Sequence, residues 1–230
     1  MPQPQTRGNP PVAIVAPNLM EALQPGALQS CVQNAASLAA DVEGKLFSGD
    51  VVSEVGGGML SFSGCRFERC TLSDWTFKRV SFTDCVLDHC DLSGLRLENV
   101  SMQRVSAVDS RITGFEMYAA VLNNVRFSGC NGDYLTLADA KLNRVAFEHC
   151  RLRESLWQNW KPKLLSFDTC DLTASQFRYA PLEGLDFTTC ELDQIQLDPR
   201  DLRGLRVTAL QALMFSRMLG LVIDGDETPQ

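Results

Sequence analysis

Large apolar residues recur at every fifth position from Phe62 to Val207. The series begins Phe62, Phe67, Leu72, Phe77, Phe82, Leu87, Leu92 and ends Phe187, Leu192, Leu197, Leu202, Val207. Only Ala107, Gly132 and Pro162 interrupt it, and no insertion shifts the phase. The position two residues earlier is also selective: Leu60, Cys65, Cys70, Trp75, Val80, Cys85, Cys90. The other three places are mostly Ser, Thr, Asp, Arg, Asn and Gly. Two inward side chains two residues apart fit an extended segment, whose alternate side chains share a face. A helix is excluded, because a five-residue step turns about 140° around its axis and smears the apolar row. A flat sheet has a period of two and is excluded as well. A chain that turns a corner after every five residues satisfies the pattern, and such a period marks a repeat architecture.

The units CRFER, CTLSD, CDLSG and CELDQ, starting at Cys65, Cys70, Cys90 and Cys190, carry a specific resemblance. Over residues 62–207 the chain resembles the pentapeptide-repeat family, whose unit centres on Leu or Phe with a small apolar residue two before it. The resemblance implies an all-β solenoid, a right-handed quadrilateral β-helix with four pentapeptides per coil. The cysteines agree: Cys70, Cys90, Cys130, Cys150, Cys170 and Cys190 fall in one column, with Ser110 in its gap, and Cys65 and Cys85 in a second. With coils about 4.8 Å apart, residues 62–207 make a rod roughly 35 Å long. Two places look weak. Ala107 and Gly132 are undersized, with the flexible Met102 and Met117 as candidate fillers. In LWQNWKPK, residues 156–163, Trp157 and Trp160 take inward places and Pro162 lacks the N–H that coil pairing uses.

The ends break the period. Residues 1–44 read as a proline-rich mobile arm over 1–17, then an amphipathic helix on Leu28, Cys31, Val32, Ala35, Leu38, Ala39 and Val42 that Gly44 stops. This helix is expected to cover the open end of the solenoid, whose backbone donors and acceptors need a partner. The repeats are expected over 45–207, with GGG at 56–58 breaking the first coil. Residues 208–230 open with Thr208 and Gln211 as a capping box and stop at Gly220. The helix between them is apolar on nearly all sides, more than one coil end can cover. Leu210, Leu213, Met214, Phe215, Met218, Leu219, Leu221 and Ile223 are therefore the candidate interface of an end-to-end homodimer, which a two-fold contact closes.

Composition narrows the chemistry. The 230 residues carry a formal charge of −7 with 45% hydrophobic residues. No apolar run reaches membrane-spanning length and the start lacks the form of a signal peptide, so a cytoplasmic protein with reduced thiols is expected. There is no CxxC pair, Gly-rich phosphate loop, G-x-S-x-G or H-E-x-x-H. His89 and His149 point outward, three coils apart, too far to share a metal. No catalytic, cofactor or metal residues are expected. The reading is a non-enzymatic binding protein with a protein partner, without direct nucleic-acid or membrane binding.

The four sides differ in charge. One is acidic, with Asp74, Asp91, Asp133, Asp171, Glu191 and Asp193; its neighbour adds Asp88 and Asp168. A third balances, and the fourth is basic, with Arg104, Lys141, Arg144, Lys161, Lys163 and Arg203. The quinolone-resistance branch that the chain resembles implies dimeric rods that mimic DNA in the groove of a type II topoisomerase, DNA gyrase or topoisomerase IV. The acidic columns are the candidate interaction face for that role. One departure is that protective members often carry projecting loops, and the unbroken phase leaves no room for one. The alternative is a rigid structural scaffold, with Tyr118, Tyr134, Tyr179, the Trp157/Trp160 segment and the Lys141–Lys163 patch as its contacts.

Overall fold

The computed structural model describes residues 12–38 and 41–222. Each coil returns to the same side after 20 residues, and every strand pairing is parallel. Met102 lies between Phe82 and Leu122, and Ala107 between Leu87 and Phe127. Two adjacent sides run as one strand per coil, as in Ser101–Val108, Val121–Ser128 and Lys141–Glu148. The third side uses three-residue strands such as Glu116–Tyr118 and Thr136–Ala138. The fourth is joined by single bridges that run Thr71, Asp91, Arg111, Asn131, Arg151, Asp171, Glu191. Residues 42–207 make about eight coils, roughly 38 Å at the strand spacing. The protein is thus a four-sided parallel β-helix with a helix at each end.

Corners repeat two residues after the apolar centre, where the backbone turns left-handed. His89 and His149 have φ of 54°, and Tyr134 60°. This conformation costs a non-glycine residue about 1–2 kcal/mol. The corner N–H groups offset it by bonding the next coil, as from His89 to the Val108 carbonyl at 3.0 Å and from Asn99 to that of Tyr118 at 2.9 Å. The centres and the minus-two positions fill the interior. Phe127, Phe147 and Phe167 stack at 4.8 and 5.3 Å between ring centres. The cysteine columns are buried free thiols, and all but Cys70 point Sγ–H at a carbonyl of the coil before, as from Cys150 to Phe127 at 3.4 Å.

Four expectations need correction. GGG at 56–58 keeps the phase: Val55–Ser63 pairs residue by residue with the next coil, Gly57 beside Phe77. A Cβ at Gly56 would stand 2.0 Å from the Thr76 hydroxyl and 3.1 Å from the Thr76 carbonyl oxygen, so any side chain there must displace Thr76. The N-terminal helix, α1, spans Leu28–Leu38, and Val42 belongs to a strand paired with Phe62. Apolar helical spacing and the coil phase coincide at Val42, and the open strand edge wins. The gap at Gly132 is filled by Ile112 and Leu152, the side chains one coil either way, rather than by methionines. Trp157 and Trp160 are buried, packed with Phe167 and Phe177, so that segment offers no aromatic contact surface.

Both ends are closed. Leu28, Val32 and Ala35 of α1 bury against the first coil, and Gln24–Pro25 extends the sheet beside Lys45–Leu46. At the other end α2, Ala209–Met218, starts with the expected box: Gln211 N–H donates to Thr208 Oγ1 at 3.2 Å and Thr208 N–H to Gln211 Oε1 at 2.8 Å. The Gln211 amide also donates to the carbonyls of Phe187 and Cys190 at 2.8 and 2.9 Å, which ties the helix cap to the last coils.

Candidate docking surface

With the interior filled, the outward side chains carry whatever the molecule does. Twenty-residue winding places them in straight columns, and arginines tie neighbouring coils together across those columns. Arg66 bonds Asp88 at 2.6 Å, Arg104 bonds Asp84 through both guanidinium arms, and Arg151 bonds Asp133 at 2.6 Å. Arg153 pairs with Asp171, Arg111 with Asp91 at 3.6 Å and Arg96 with Glu116 at 3.4 Å. Exposed pairs contribute little stability each. Their larger effect is to fix side chains in register and to cancel charge locally.

That cancellation reshapes the predicted acidic face. Asp88, Asp91, Asp133 and Asp171 all lie in cross-coil pairs. Burial raises the Asp171 carboxyl, but hydrogen bonds from Thr173 and Arg153 outweigh it and leave its pKa below the ordinary value. Asp168 accepts from the hydroxyls of Thr169 and Thr189. Asp74, Glu191 and Asp193 are exposed and form no ion pair among the described residues. Summing charge by side missed these pairs, because their members stand 18 to 22 residues apart in the chain.

The basic side behaves differently. Lys141, Arg144, Lys161 and Lys163 are exposed and none forms an ion pair among the described residues. Lys141 and Lys161 are register partners in adjacent coils, so like charges stack. Beside them the coil pairing fails. Lys161–Asp168 pairs with Lys141–Glu148 through a register shift, and among the described residues no strand pairs with its other edge. Lys161 N–H still bonds the Ala140 carbonyl at 2.8 Å; the equivalent donor one coil on is Pro181, which has no N–H. A cleft of about 590 Å³ opens there, with Pro162, Leu164 and Leu165 on one wall and Glu183 and Leu185 on the other.

Part of the predicted mobile arm lies along this side. Val12 lines the cleft, Val15 N–H donates to Asn124 Oδ1 at 3.1 Å and Asn18 N–H to Asp84 Oδ1 at 2.9 Å. Three extended residues cover about 9–10 Å and two coils about 9.6 Å, so the arm's donors match the pitch of the corner column. The hydrogen bond from Arg104, then that from Asn18, holds the Asp84 carboxyl below its usual pKa. Residues 1–11 lie outside the described part. The arm has no period, and nothing in its sequence indicated that it docks.

Of the predicted dimer residues, Phe215 is buried on the last coil and Met214 packs beside it. Leu210, Leu213, Met218, Leu219 and Leu221 face outward, as does Val222; Ile223 lies outside the described residues. Tyr134 and Tyr179 are exposed at corners, whereas Tyr118 is half-buried with Arg96 4.9 Å over its ring. His89 Nδ1 sits 2.6 Å from Asp88. Among the described residues no group of three or more His, Cys, Asp or Glu is placed to hold a metal. No helix among them is long and apolar enough to cross a membrane.

The family model for pentapeptide repeats matches residues 61–104 in eight copies. No curated protein matches the sequence. Among solved structures, QnrB1, a plasmid-mediated fluoroquinolone resistance protein, is 20% identical with a TM-score of 0.44, over 80% of this chain and 100% of that one. HetL, a pentapeptide-repeat protein involved in heterocyst differentiation regulation from the cyanobacterium Nostoc sp. strain PCC 7120, is 13% identical with a TM-score of 0.28, over 75% of this chain and 87% of its own. The pentapeptide-repeat protein Rfr23 from the cyanobacterium Cyanothece 51142 is 12% identical with a TM-score of 0.22, over 80% of this chain and 97% of its own.

Proposed function

We propose that this chain, whose residues 61–104 match the pentapeptide-repeat family model and whose coil continues on either side of them, is a non-enzymatic docking rod for a protein partner. The observation that carries this reading is the register of the outward columns. Cross-coil arginine pairs fix them before any partner arrives, which lowers the ordering cost of binding. Two rods joined through Leu210, Leu213, Met218, Leu219 and Leu221 would present the same columns twice. The cytoplasm, where thiols stay reduced, suits a core lined with free cysteines.

The second reading is modulation of DNA gyrase or topoisomerase IV by DNA mimicry. Asp74, Asp168, Glu191 and Asp193 favour it, since they stand on the acidic sides and no arginine among the described residues forms an ion pair with them. Their density is far below that of DNA, with one charge per about 1.7 Å of axis. A supercoiling assay with purified gyrase separates the readings. DNA mimicry predicts inhibition that Asp168→Lys with Asp193→Lys abolishes. Inhibition that survives those changes identifies a topoisomerase as the docked partner. The docking reading with another partner predicts supercoiling unchanged at equimolar protein.

A further inference from the structure

Wherever an arginine forms an ion pair between coils, a carboxylate stands one coil away: Arg66 with Asp88, Arg104 with Asp84, Arg151 with Asp133. The stack of Lys141, Arg144, Lys161 and Lys163 departs from this rule. Lys141 and Lys161 stand in register, a like-charge placement that destabilises paired strands. The stack adjoins the cleft that the break at Pro162 and Pro181 opens, whose wall bears Leu164, 44% exposed. The cleft already holds a piece of extended chain, with half-buried Val12 against it.

We propose that this cation stack and cleft form a docking site for an acidic, extended segment of a protein partner, anchored by one aliphatic side chain in the place Val12 takes. The inference rests on the docking reading and adds its partner chemistry. Carboxylates running along Lys141 and Lys161 relieve the stacked positive charge. The aliphatic anchor buries against Leu164 and Leu165. The site selects against nucleic acid, which has no aliphatic anchor for Leu164 and Leu165; the cleft's own carboxylates, Glu148, Asp168, Glu183 and Asp186, confine the partner's acids to the cation stack beside it. The arm competes for the cleft, so the partner binds by displacing Val12.

The test uses the full chain and fluorescence anisotropy with three labelled probes. These are a 12-residue peptide whose first half is Asp/Glu and whose second half is uncharged with one Leu, the same peptide with Lys for each acid, and a 12-nucleotide single strand of DNA. The acidic peptide should bind most tightly, and more weakly as salt rises. Lys161→Glu with Lys163→Glu should weaken it by about tenfold or more, while Lys78→Glu on another side leaves it unchanged. Val12→Gly should tighten it severalfold. The proposal is overturned if the basic peptide or the DNA binds as tightly, or if the charge reversal has no effect. If the peptide fails while partner capture still depends on another side, this site falls and the docking reading stands. Capture indifferent to every side removes the docking reading itself.

Discussion

Gly132 occupies a place where the repeat asks for Leu or Phe, so pattern alone says that Gly132→Leu repairs the chain. The packing says the opposite. A Cβ at 132 would stand 2.9 Å from Leu152 Cδ2 and 3.1 and 3.2 Å from Ile112 Cγ1 and Cδ1. The neighbours in the coils on either side have taken the volume, so a leucine must push both from their rotamers. Overpacking of this kind costs about 1–3 kcal/mol. Removing glycine from extended backbone returns about 0.5–1 kcal/mol. A net loss near 1–2 kcal/mol lowers Tm by about 2–8 °C in a chain of this size. Calorimetry on purified protein reads it directly. Ile112→Ala makes room, so the double variant should be less destabilised than the sum of the single changes by about 1 kcal/mol or more. A Tm that rises in Gly132→Leu, or strict additivity with Ile112→Ala, refutes the interleaved packing of this column.

Three other outcomes follow from the same geometry. Ala119 holds φ of 50° at an exposed corner, so Ala119→Gly should raise stability by up to about 1 kcal/mol, and an unchanged or lower urea midpoint contradicts the strain. The folded Asp84 carboxyl titrates below its unfolded value, so its contribution is present above the unfolded pKa and lost as pH falls through the folded one; Asp84→Asn should flatten the urea midpoint against pH between about 5 and 2, and a parallel curve refutes the pairing. Leu213→Glu with Leu221→Arg should leave circular dichroism unchanged and turn a dimer into a monomer in sedimentation velocity; a wild type monomeric at micromolar concentration removes the end-to-end dimer.

The coils were legible because each carries its own copy of the signal. Twenty residues bring like positions together, and Cys130, Cys150 and Cys170 report that period without reference to the apolar centres. Features made between coils were not legible. The Asp133–Arg151 pair and the filling of Gly132 by Ile112 and Leu152 depend on which side chains lean toward a neighbour, and charge sums by side do not see that. Gly57 was hidden for another reason: a centre without a side chain looks like a loop, though its strand edge pairs with Phe77. An almost uniformly apolar α2 left open which residues face the coil. Burial assigns Phe215 to the fold and leaves Leu210 and Leu213 outside. Pro162 was read correctly as a local distortion, yet the cleft also needed Pro181, which sits in phase beside the buried Leu182.

The most direct test of the docking rod is capture of partners on full-length protein and on four variants, each inverting charges on one side. Asp74→Lys with Asp193→Lys, Lys161→Glu with Lys163→Glu, Glu98→Lys with Asp139→Lys, and Glu68→Lys with Asp109→Lys sample the four. All should keep the wild-type circular dichroism, since the changed side chains lie outside the core. The account predicts a protein that binds directly when purified, is lost with one side and retained with the other three, and is released chemically unchanged. A partner retained equally by all four variants, or one released chemically altered, contradicts it.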